Sequence, residues 1–174
     1  MKGAIAICLQ EIVEKNYGKE KFKEILKASG VPDNLVLLAT LDLDDALVLN
    51  VITNTIKILN ISEEKLFDMF GDYWVNGYAK KLYDAYFVLS SNAKEFLMNM
   101  DLVHRLVTEV TKNAHPPHYT YEDKGDRLIM KYNSSRGLPD LLPGLIKGVA
   151  KYYNENVRIN RLDNNTFEIV FERR

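Results

Sequence analysis

Three polar side chains in the stretch KYNSSRG, residues 131–137, stand at alternate positions: Tyr132, Ser134 and Arg136. If the stretch is the end of a β-strand, residues i, i+2 and i+4 project from one face. Two hydroxyl groups and a guanidinium would then lie side by side, and such a group of donors is suited to binding an anion. The alternative is a strand end that faces water, with Arg136 paired to a nearby acidic residue. The spacing alone favours that alternative.

His104 lies within a predicted helix, on an apolar face that also carries Met100 and Val103. Most histidines in such a place are core residues that make one hydrogen bond, and this feature alone favours that interpretation. Neutral imidazole is also a common metal ligand. No further ligand residue follows three or four positions later. Because zinc needs three or four protein ligands, whereas haem iron needs only one axial histidine, His104 suits haem better than zinc.

The donor trio, which is Tyr132, Ser134 and Arg136, matches the two propionates of a haem. A haem is a flat apolar body that needs an apolar slot, one axial ligand and a few donors for its carboxylates. Arg136 would bind one propionate through two parallel hydrogen bonds, each worth about 1.5–3 kcal/mol. Tyr132 and Ser134 would complete the contact.

The composition restricts the class of protein. With 174 residues, of which 47% are apolar and 27% charged, the chain has the balance of a soluble globular domain. It carries 23 basic and 24 acidic side chains, so we expect no nucleic-acid partner. Cys8 is the only cysteine, which excludes an intramolecular disulfide and a multi-cysteine zinc site. No stretch approaches the ~20 apolar residues of a membrane span, so we expect no membrane insertion and a cytoplasmic setting.

The hydrophobic pattern predicts a mostly helical front half. Five helices are predicted: 2–17, 19–30, a third from a cap at Asp42 or Asp44 through residue 60, 62–81 with an interruption at Gly71, and 90–113. The pair Pro116-Pro117 then ends the helical region.

The rear half alternates between strands and turns. The segments YTYED and DRLIMKYNSS flank a turn at Lys124-Gly125, one helix runs through 137–155, and two final strands flank a two-residue hairpin at Asn164-Asn165. The predicted fold class is α+β in a single domain, 1–174. Its mainly helical subdomain covers 1–113. Its second subdomain, with about four antiparallel strands and one helix, covers 114–174.

The segment MDLVHRLVTEVTKNAHPPHY, followed by YNSSR, resembles the H-NOX family of haem nitric oxide/oxygen-binding domains, which includes the sensor domain of soluble guanylate cyclase. The resemblance extends over essentially the whole chain, from the MKG opening through the FG of LFDMFGDYW to the Y-x-S-x-R motif. It implies a helical N-terminal subdomain packed on an α/β subdomain, with a haem between them.

The resemblance also implies a role for individual residues. His104 is expected to be the proximal iron ligand, and the donor trio is expected to hold the propionates of haem b. Pro117 is expected to press on the porphyrin and help to distort it. Five apolar residues are expected to line the haem cavity, with ordinary core packing as the alternative: Ile5, Leu9, Met100, Leu141 and Leu145.

The choice of gas depends on the distal side of the haem. Bound oxygen carries partial negative charge and is stabilised by a hydrogen-bond donor, whereas nitric oxide binds ferrous iron tightly without one. In oxygen-binding H-NOX proteins, a tyrosine stands five residues after the arginine of the motif, and this chain has Leu141 there. We therefore expect nitric oxide, and also carbon monoxide, as ligands. An oxygen-binding H-NOX sensor is the alternative, since Tyr73, Tyr83 or another tyrosine would reverse this expectation if it entered the pocket.

The expected function is gas sensing without catalysis. Nitric oxide would break the bond between iron and His104, and the chain would relay this state to a partner. By resemblance the partner is a histidine kinase, a cyclic-di-GMP enzyme or a chemotaxis receptor. Two other classes stay open. A haem-dependent enzyme, such as a peroxidase, usually needs polar distal groups for acid–base chemistry. A haem-free module of the same fold would bind another apolar ligand.

Overall fold

The computed structural model describes residues 1–32, 35–109 and 114–172, with only the backbone at Leu82 and Tyr83. The chain divides into two compact units, Met1–Phe70 and Gly71–Arg174. This division differs from the predicted subdomain boundary after residue 113. The helical residues that follow Gly71 share a core with the sheet, and hydrophobic periodicity cannot reveal which core a helix joins. The single domain and its two predicted subdomains stay predictions.

The first unit is helical, as predicted. Its elements are α1 (Gly3–Tyr17), α2 (Lys19–Ala28), α3 (Asp45–Leu59) and most of α4 (Glu63–Tyr73). The predicted cap of α3 is confirmed at Asp44, whose side chain accepts a hydrogen bond from the Leu47 amide at 3.0 Å. The core of the unit consists of apolar residues at helical spacing: Leu9, Val13, Phe22, Ile25, Leu26, Val31 and Leu66.

The predicted interruption of the fourth helix at Gly71 is wrong. The helix α4 passes through Gly71 to Tyr73, a π-helical segment follows over Trp74–Ala79, and α5 covers Lys80–Val88. A Cβ atom at Gly71 would lie 2.0 Å from the carbonyl oxygen of Gly144, in α8 (Leu141–Tyr152). Glycine is therefore present because two helices cross at backbone contact, and not because the helix ends.

The predicted long helix 90–113 is also wrong, because it is two helices. The helix α6 covers Ala93–Met98, and α7 covers Met100–Thr108. Asn99 separates them with φ −91° and ψ 4°, and its amide donates to the carbonyl oxygens of Glu95 and Phe96, which closes α6. Residues 110–113 of the predicted helix lie outside the described residues.

The four predicted antiparallel strands are confirmed. They are β1 (His118–Asp123), β2 (Arg127–Asn133), β3 (Val157–Arg161) and β4 (Thr166–Phe171), in the spatial order β1-β2-β4-β3. The turn at Lys124-Gly125 is confirmed, with Gly125 at φ 82°. The two-residue hairpin at Asn164-Asn165 is wrong. The Leu162 amide donates to Thr166 across a longer loop, and neither asparagine has the positive φ that the tight turn needs.

The core of the second unit lies between one face of the sheet and the helices α6 and α8. Buried residues of the sheet alternate along β2 and β4, as expected for strands with one face in a core: Leu128, Met130, Phe167 and Ile169. They share a cluster with Phe96 of α6 and with Leu142, Ile146 and Val149 of α8. No helix among the described residues is long and apolar enough to span a membrane.

Candidate functional site

His104 is held by a backbone carbonyl group. Its Nδ1 atom lies 3.2 Å from the carbonyl oxygen of Pro117. A carbonyl oxygen only accepts hydrogen bonds, so Nδ1 carries the proton and donates it. The Nε2 atom then keeps its lone pair, which is the state of an imidazole that can coordinate a metal.

The environment of His104 favours the neutral ring. Burial lowers the pKa of His104 below its usual value, because the charged form loses hydration. The Pro117 carbonyl and the carboxylate of Asp101 act in the opposite direction, and nearby His118 adds slightly to the lowering of the pKa. The net shift is downward, so the imidazole is neutral near pH 7 and is ready to bind a metal.

The helix α7, which carries His104, is amphipathic, but none of its side chains is fully buried. Met100 and Val103 pack only partly against the core of the second unit. Two leucines of α7, Leu102 and Leu106, are 44% and 40% exposed. The residues beside His104 therefore offer apolar surface, which is what the face of a porphyrin would contact.

The donor trio does not lie along one strand, so the predicted alternation holds only for Tyr132. The strand β2 ends at Asn133, and Ser134 and Arg136 belong to the turn that follows, before Gly137 at φ 63°. The hydroxyl oxygen of Ser134 accepts a hydrogen bond from the Arg136 amide at 3.3 Å, which brings these two residues together. Tyr132 is buried on the core face of the sheet.

Arg136, Tyr132 and His104 all contact residues 115–119, here called the junction segment. Arg136 Nη1 donates to the carbonyl oxygen of His115, and His104 donates to Pro117. The Tyr119 ring lies 5.9 Å from the imidazole of His104 and 6.1 Å from the ring of Tyr132, centroid to centroid. The structure therefore places His104, Pro117 and the donor trio in one region of the second unit.

The five residues predicted to line a haem cavity fall into both units. Met100 and Leu145 lie beside the core of the second unit, and Leu141 is the half-buried first residue of α8. In the first unit, Leu9 is buried in the core and Ile5 is half-buried. The burial of Leu9 is equally what core packing requires. Contact of these residues with a haem stays a prediction.

Sequence reasoning missed Asp101. Its Oδ1 atom accepts a hydrogen bond from the Tyr119 amide at 3.0 Å, so the carboxylate contacts the junction segment three residues before His104 in α7. An aspartate in the first turn of a helix usually indicates only a favourable interaction with the helix dipole. No sequence pattern identifies a backbone amide on another element as its partner.

The residues of the second unit fit a haem in their chemistry. They provide one neutral imidazole whose Nε2 atom keeps its lone pair, a partly exposed apolar helix face, and Arg136, whose backbone amide is hydrogen-bonded to the hydroxyl group of Ser134. A haem needs from the protein one axial nitrogen ligand and a few hydrogen-bond donors for its propionate carboxylates. Among the described residues, no group of three or more His, Cys, Asp or Glu is arranged to hold a metal ion.

Comparison with known proteins gives consistent results. A family model described as Haem-NO-binding matches residues 2–161. Soluble guanylate cyclase gcy-37 of Caenorhabditis elegans is 23% identical, over 95% of this chain and 24% of its own length. The chain spans a quarter or less of the curated relatives that it matches.

Solved structures share the fold. An Fe(II) unliganded H-NOX protein from K. algicida, the mutant A71G, superposes with a TM-score of 0.89 at 21% identity, covering 99% of this chain and 97% of that one. An oxygen-binding H-NOX domain related to soluble guanylate cyclases, solved as its oxygen complex, gives a TM-score of 0.78 at 25% identity. That comparison covers 99% of this chain and 96% of the other.

Proposed function

Because the chain belongs to the haem-NO-binding family, known as H-NOX, we propose that it is a gas sensor that binds nitric oxide at ferrous haem b. Membership of the family implies haem binding, and the gas, the haem type and the output are our proposal. The single observation that carries the proposal is the hydrogen bond from His104 Nδ1 to the Pro117 carbonyl, because it leaves Nε2 free for iron.

The residues of the chain have distinct proposed tasks. His104 would be the iron ligand, and Pro117 would contact the porphyrin. The donor trio holds the propionates, with Arg136 as the charged member. The cavity lining is apolar: Ile5, Leu9, Met100, Leu141 and Leu145. When bound, the haem would supply an iron atom with one coordination position for a gas.

The proposal of nitric oxide over oxygen rests on Leu141. This residue stands five positions after Arg136, where oxygen-binding members carry a tyrosine, and its side chain cannot donate a hydrogen bond. The alternative is an oxygen sensor, and similarity to an oxygen-binding H-NOX domain supports it. Tyr73 at the end of α4 is half-buried, and the side chain of Tyr83 lies outside the described part. Either hydroxyl would favour oxygen if it reached the bound gas.

The signal is proposed to pass through α7. His104 would hold the iron, and the haem would supply the position that binds the gas. Release of His104 on binding of nitric oxide would then remove one attachment of α7. A gas can drive this change only if it binds the two states with different affinity. The chain is proposed to act without catalysis of its own, in the cytoplasm, on a separate histidine kinase, cyclic-di-GMP enzyme or chemotaxis receptor.

The absorption spectrum of the ferrous, haem-loaded chain tests this function under argon, in air and with nitric oxide. We expect a haem Soret band that air leaves unchanged and that nitric oxide shifts to shorter wavelength, the sign of a five-coordinate complex that has lost its histidine. A stable complex in air would favour the oxygen sensor. Failure of the purified chain to bind haem would contradict the proposal, and turnover with peroxide would identify a haem enzyme.

A further inference from the structure

Two hydrogen bonds attach α7 to the junction segment, and they start from residues one turn apart. Asp101 Oδ1 accepts from the Tyr119 amide at 3.0 Å, and His104 Nδ1 donates to the Pro117 carbonyl at 3.2 Å. Three residues of an α-helix rise about 4.5 Å, and two residues of an extended chain span about 6.6 Å. The two bonds are therefore separated along both elements.

A pair of separated bonds restrains a helix in a way that one bond cannot. A single bond from His104 to Pro117 would allow α7 to pivot about that contact and to turn about its own axis. The second bond, from Asp101 to Tyr119, removes this freedom. Because no residue of α7 is fully buried, packing alone gives this helix little restraint. The direction of His104 Nε2 therefore depends on the bond at Asp101.

We propose that Asp101 is a positioning residue, which fixes the orientation of His104 towards the iron through its hydrogen bond to the Tyr119 amide. This inference rests on the proposed role of His104 as the haem ligand.

Other partners of Asp101 do not account for the contact. Asp101 Oδ2 lies 3.8 Å from His118 Nδ1, which is too long for a hydrogen bond, and the His118 side chain is 79% exposed. The Tyr119 amide, by contrast, belongs to an edge strand. Tyr119 pairs directly with Tyr132 in β2, and its amide is bound by Asp101 instead of by another strand. The carboxylate thus satisfies a backbone donor that has no strand partner on that side.

The test compares Asp101→Ala with Asp101→Asn, because asparagine keeps the Oδ1 acceptor and loses only the charge. The first measurement is amide hydrogen exchange at Tyr119, which does not need haem. The second is the iron–imidazole stretching band in the resonance Raman spectrum of the ferrous, gas-free protein. Loss of one hydrogen bond predicts exchange at Tyr119 about fivefold to tenfold faster in Asp101→Ala. We also expect a shifted or broadened iron–imidazole band in that variant, and both readouts restored in Asp101→Asn.

A second variant tests the bond from the other side. Replacing the Tyr119 residue by its α-hydroxy acid turns the amide into an ester and removes the donor without changing any side chain of α7. The ester variant should show the same altered iron–imidazole band that we expect for Asp101→Ala. It therefore tests the hydrogen bond even if Asp101→Ala folds poorly. His118→Ala serves as the control and should leave the band unchanged.

Three results would overturn the proposal. The first is an unchanged band in both Asp101→Ala and the ester variant. The second is a band in Asp101→Asn that matches Asp101→Ala, since charge and not the bond would then be responsible. The third is faster exchange at Tyr119 with an unchanged band, because the bond would exist without positioning His104. Failure of the proposed function would show itself separately, as a wild-type chain that binds no haem while Tyr119 exchange still responds to Asp101→Ala.

Discussion

His104 and Pro117 are joined by a hydrogen bond of 3.2 Å between the imidazole Nδ1 and the Pro117 carbonyl oxygen. Pro117 follows Pro116, and each proline ring fixes its own φ near −65°. The carbonyl that orients the imidazole is thus presented by a stiff piece of backbone. Pro117 was expected from the sequence only to contact a porphyrin, and the structure adds a second task that depends on its main chain.

Removal of the proximal ligand should mimic the signal. We expect ferrous His104→Gly to take up haem and to adopt, without gas, the conformation of the wild-type nitric oxide complex, because α7 is no longer attached to iron. Amide hydrogen exchange across α7 and β1 would measure this in both proteins. His118→Gly is the matched control, since its side chain is 79% exposed. An exchange pattern of His104→Gly equal to gas-free wild type would show that the iron–histidine bond carries no signal.

Removal of the guanidinium should weaken haem retention. Loss of even one of the two expected charge-assisted hydrogen bonds, worth about 1.5–3 kcal/mol, would raise the haem dissociation constant of Arg136→Ala about tenfold to 150-fold, and loss of both would raise it further. Haem transfer to an acceptor protein would measure this change. The control is Arg127→Ala on β2, whose guanidinium contacts Glu168 at 3.3 Å on the outer face of the sheet.

The same variant also loses the bond from Arg136 to the His115 carbonyl, and that loss must be separated from haem contact. Urea unfolding of the haem-free proteins gives the structural cost alone. If the loss of haem-binding free energy in Arg136→Ala is no larger than its loss of unfolding free energy without haem, Arg136 does not bind a propionate.

The sequence identified most of the elements because local patterns determine them. The cap of α3 at Asp44 and the turn at Gly125 depend on short-range hydrogen bonds and on φ, and both were predicted correctly. The prediction at Gly71 was wrong because a glycine within a helical pattern has two explanations. It can interrupt the helix, or it can allow the backbone of another helix to cross at close contact. Only the position of Gly144 distinguishes them, and that residue lies far away in the sequence.

In the candidate site, too, some features could be predicted from the sequence and others could not. The types of His104 and the donor trio could be read from the sequence, and the resemblance to a family assigned them roles. Their surroundings could not be predicted, because they consist of backbone groups. The carbonyl oxygens of His115 and Pro117 and the amide of Tyr119 have no signature in a sequence, yet they bind Arg136, His104 and Asp101.

The crossing of α4 and α8 predicts a large difference between two glycines. In Gly71→Ala the new Cβ would lie 2.0 Å from the Gly144 carbonyl oxygen, and backbone cannot yield cheaply. We expect destabilisation of about 1–3 kcal/mol or more. In Gly77→Ala the Cβ would meet only the Tyr73 ring at 3.5 Å, so this variant should be neutral or more stable by up to ~1 kcal/mol. Urea unfolding measures both, and equal stability of the two variants would contradict the crossing.

The ion pair between Lys94 and Asp123 predicts a dependence on pH. The Lys94 ammonium group, followed by the Gly125 amide, lowers the pKa of Asp123 below its usual value of 3.8. The unfolded chain therefore binds this proton more readily, and the contribution of the pair is present above pH 3.8 and is lost as pH falls through the lower pKa of the folded state. As pH falls below about 4, urea midpoints of wild type should therefore fall more steeply than those of Asp123→Asn, until the folded-state carboxyl is also protonated.

Lys94→Met checks the origin of that effect. If Lys94 is the main cause, this variant should flatten the pH profile as Asp123→Asn does, and the double variant should add little. Additive effects of the two single variants would mean that the two groups do not interact.

Leu141 should decide which gas forms a stable complex. We expect Leu141→Tyr to place a hydroxyl donor beside the bound gas and to yield an oxygen complex that persists in air, whereas wild type should give none. Absorption spectra of the ferrous proteins, recorded in air, would measure this. Leu141→Phe is the control, because it adds the same ring without the donor. If wild type and Leu141→Phe bind oxygen as stably as Leu141→Tyr, a donor elsewhere in the chain already serves the gas, and the chain is an oxygen sensor.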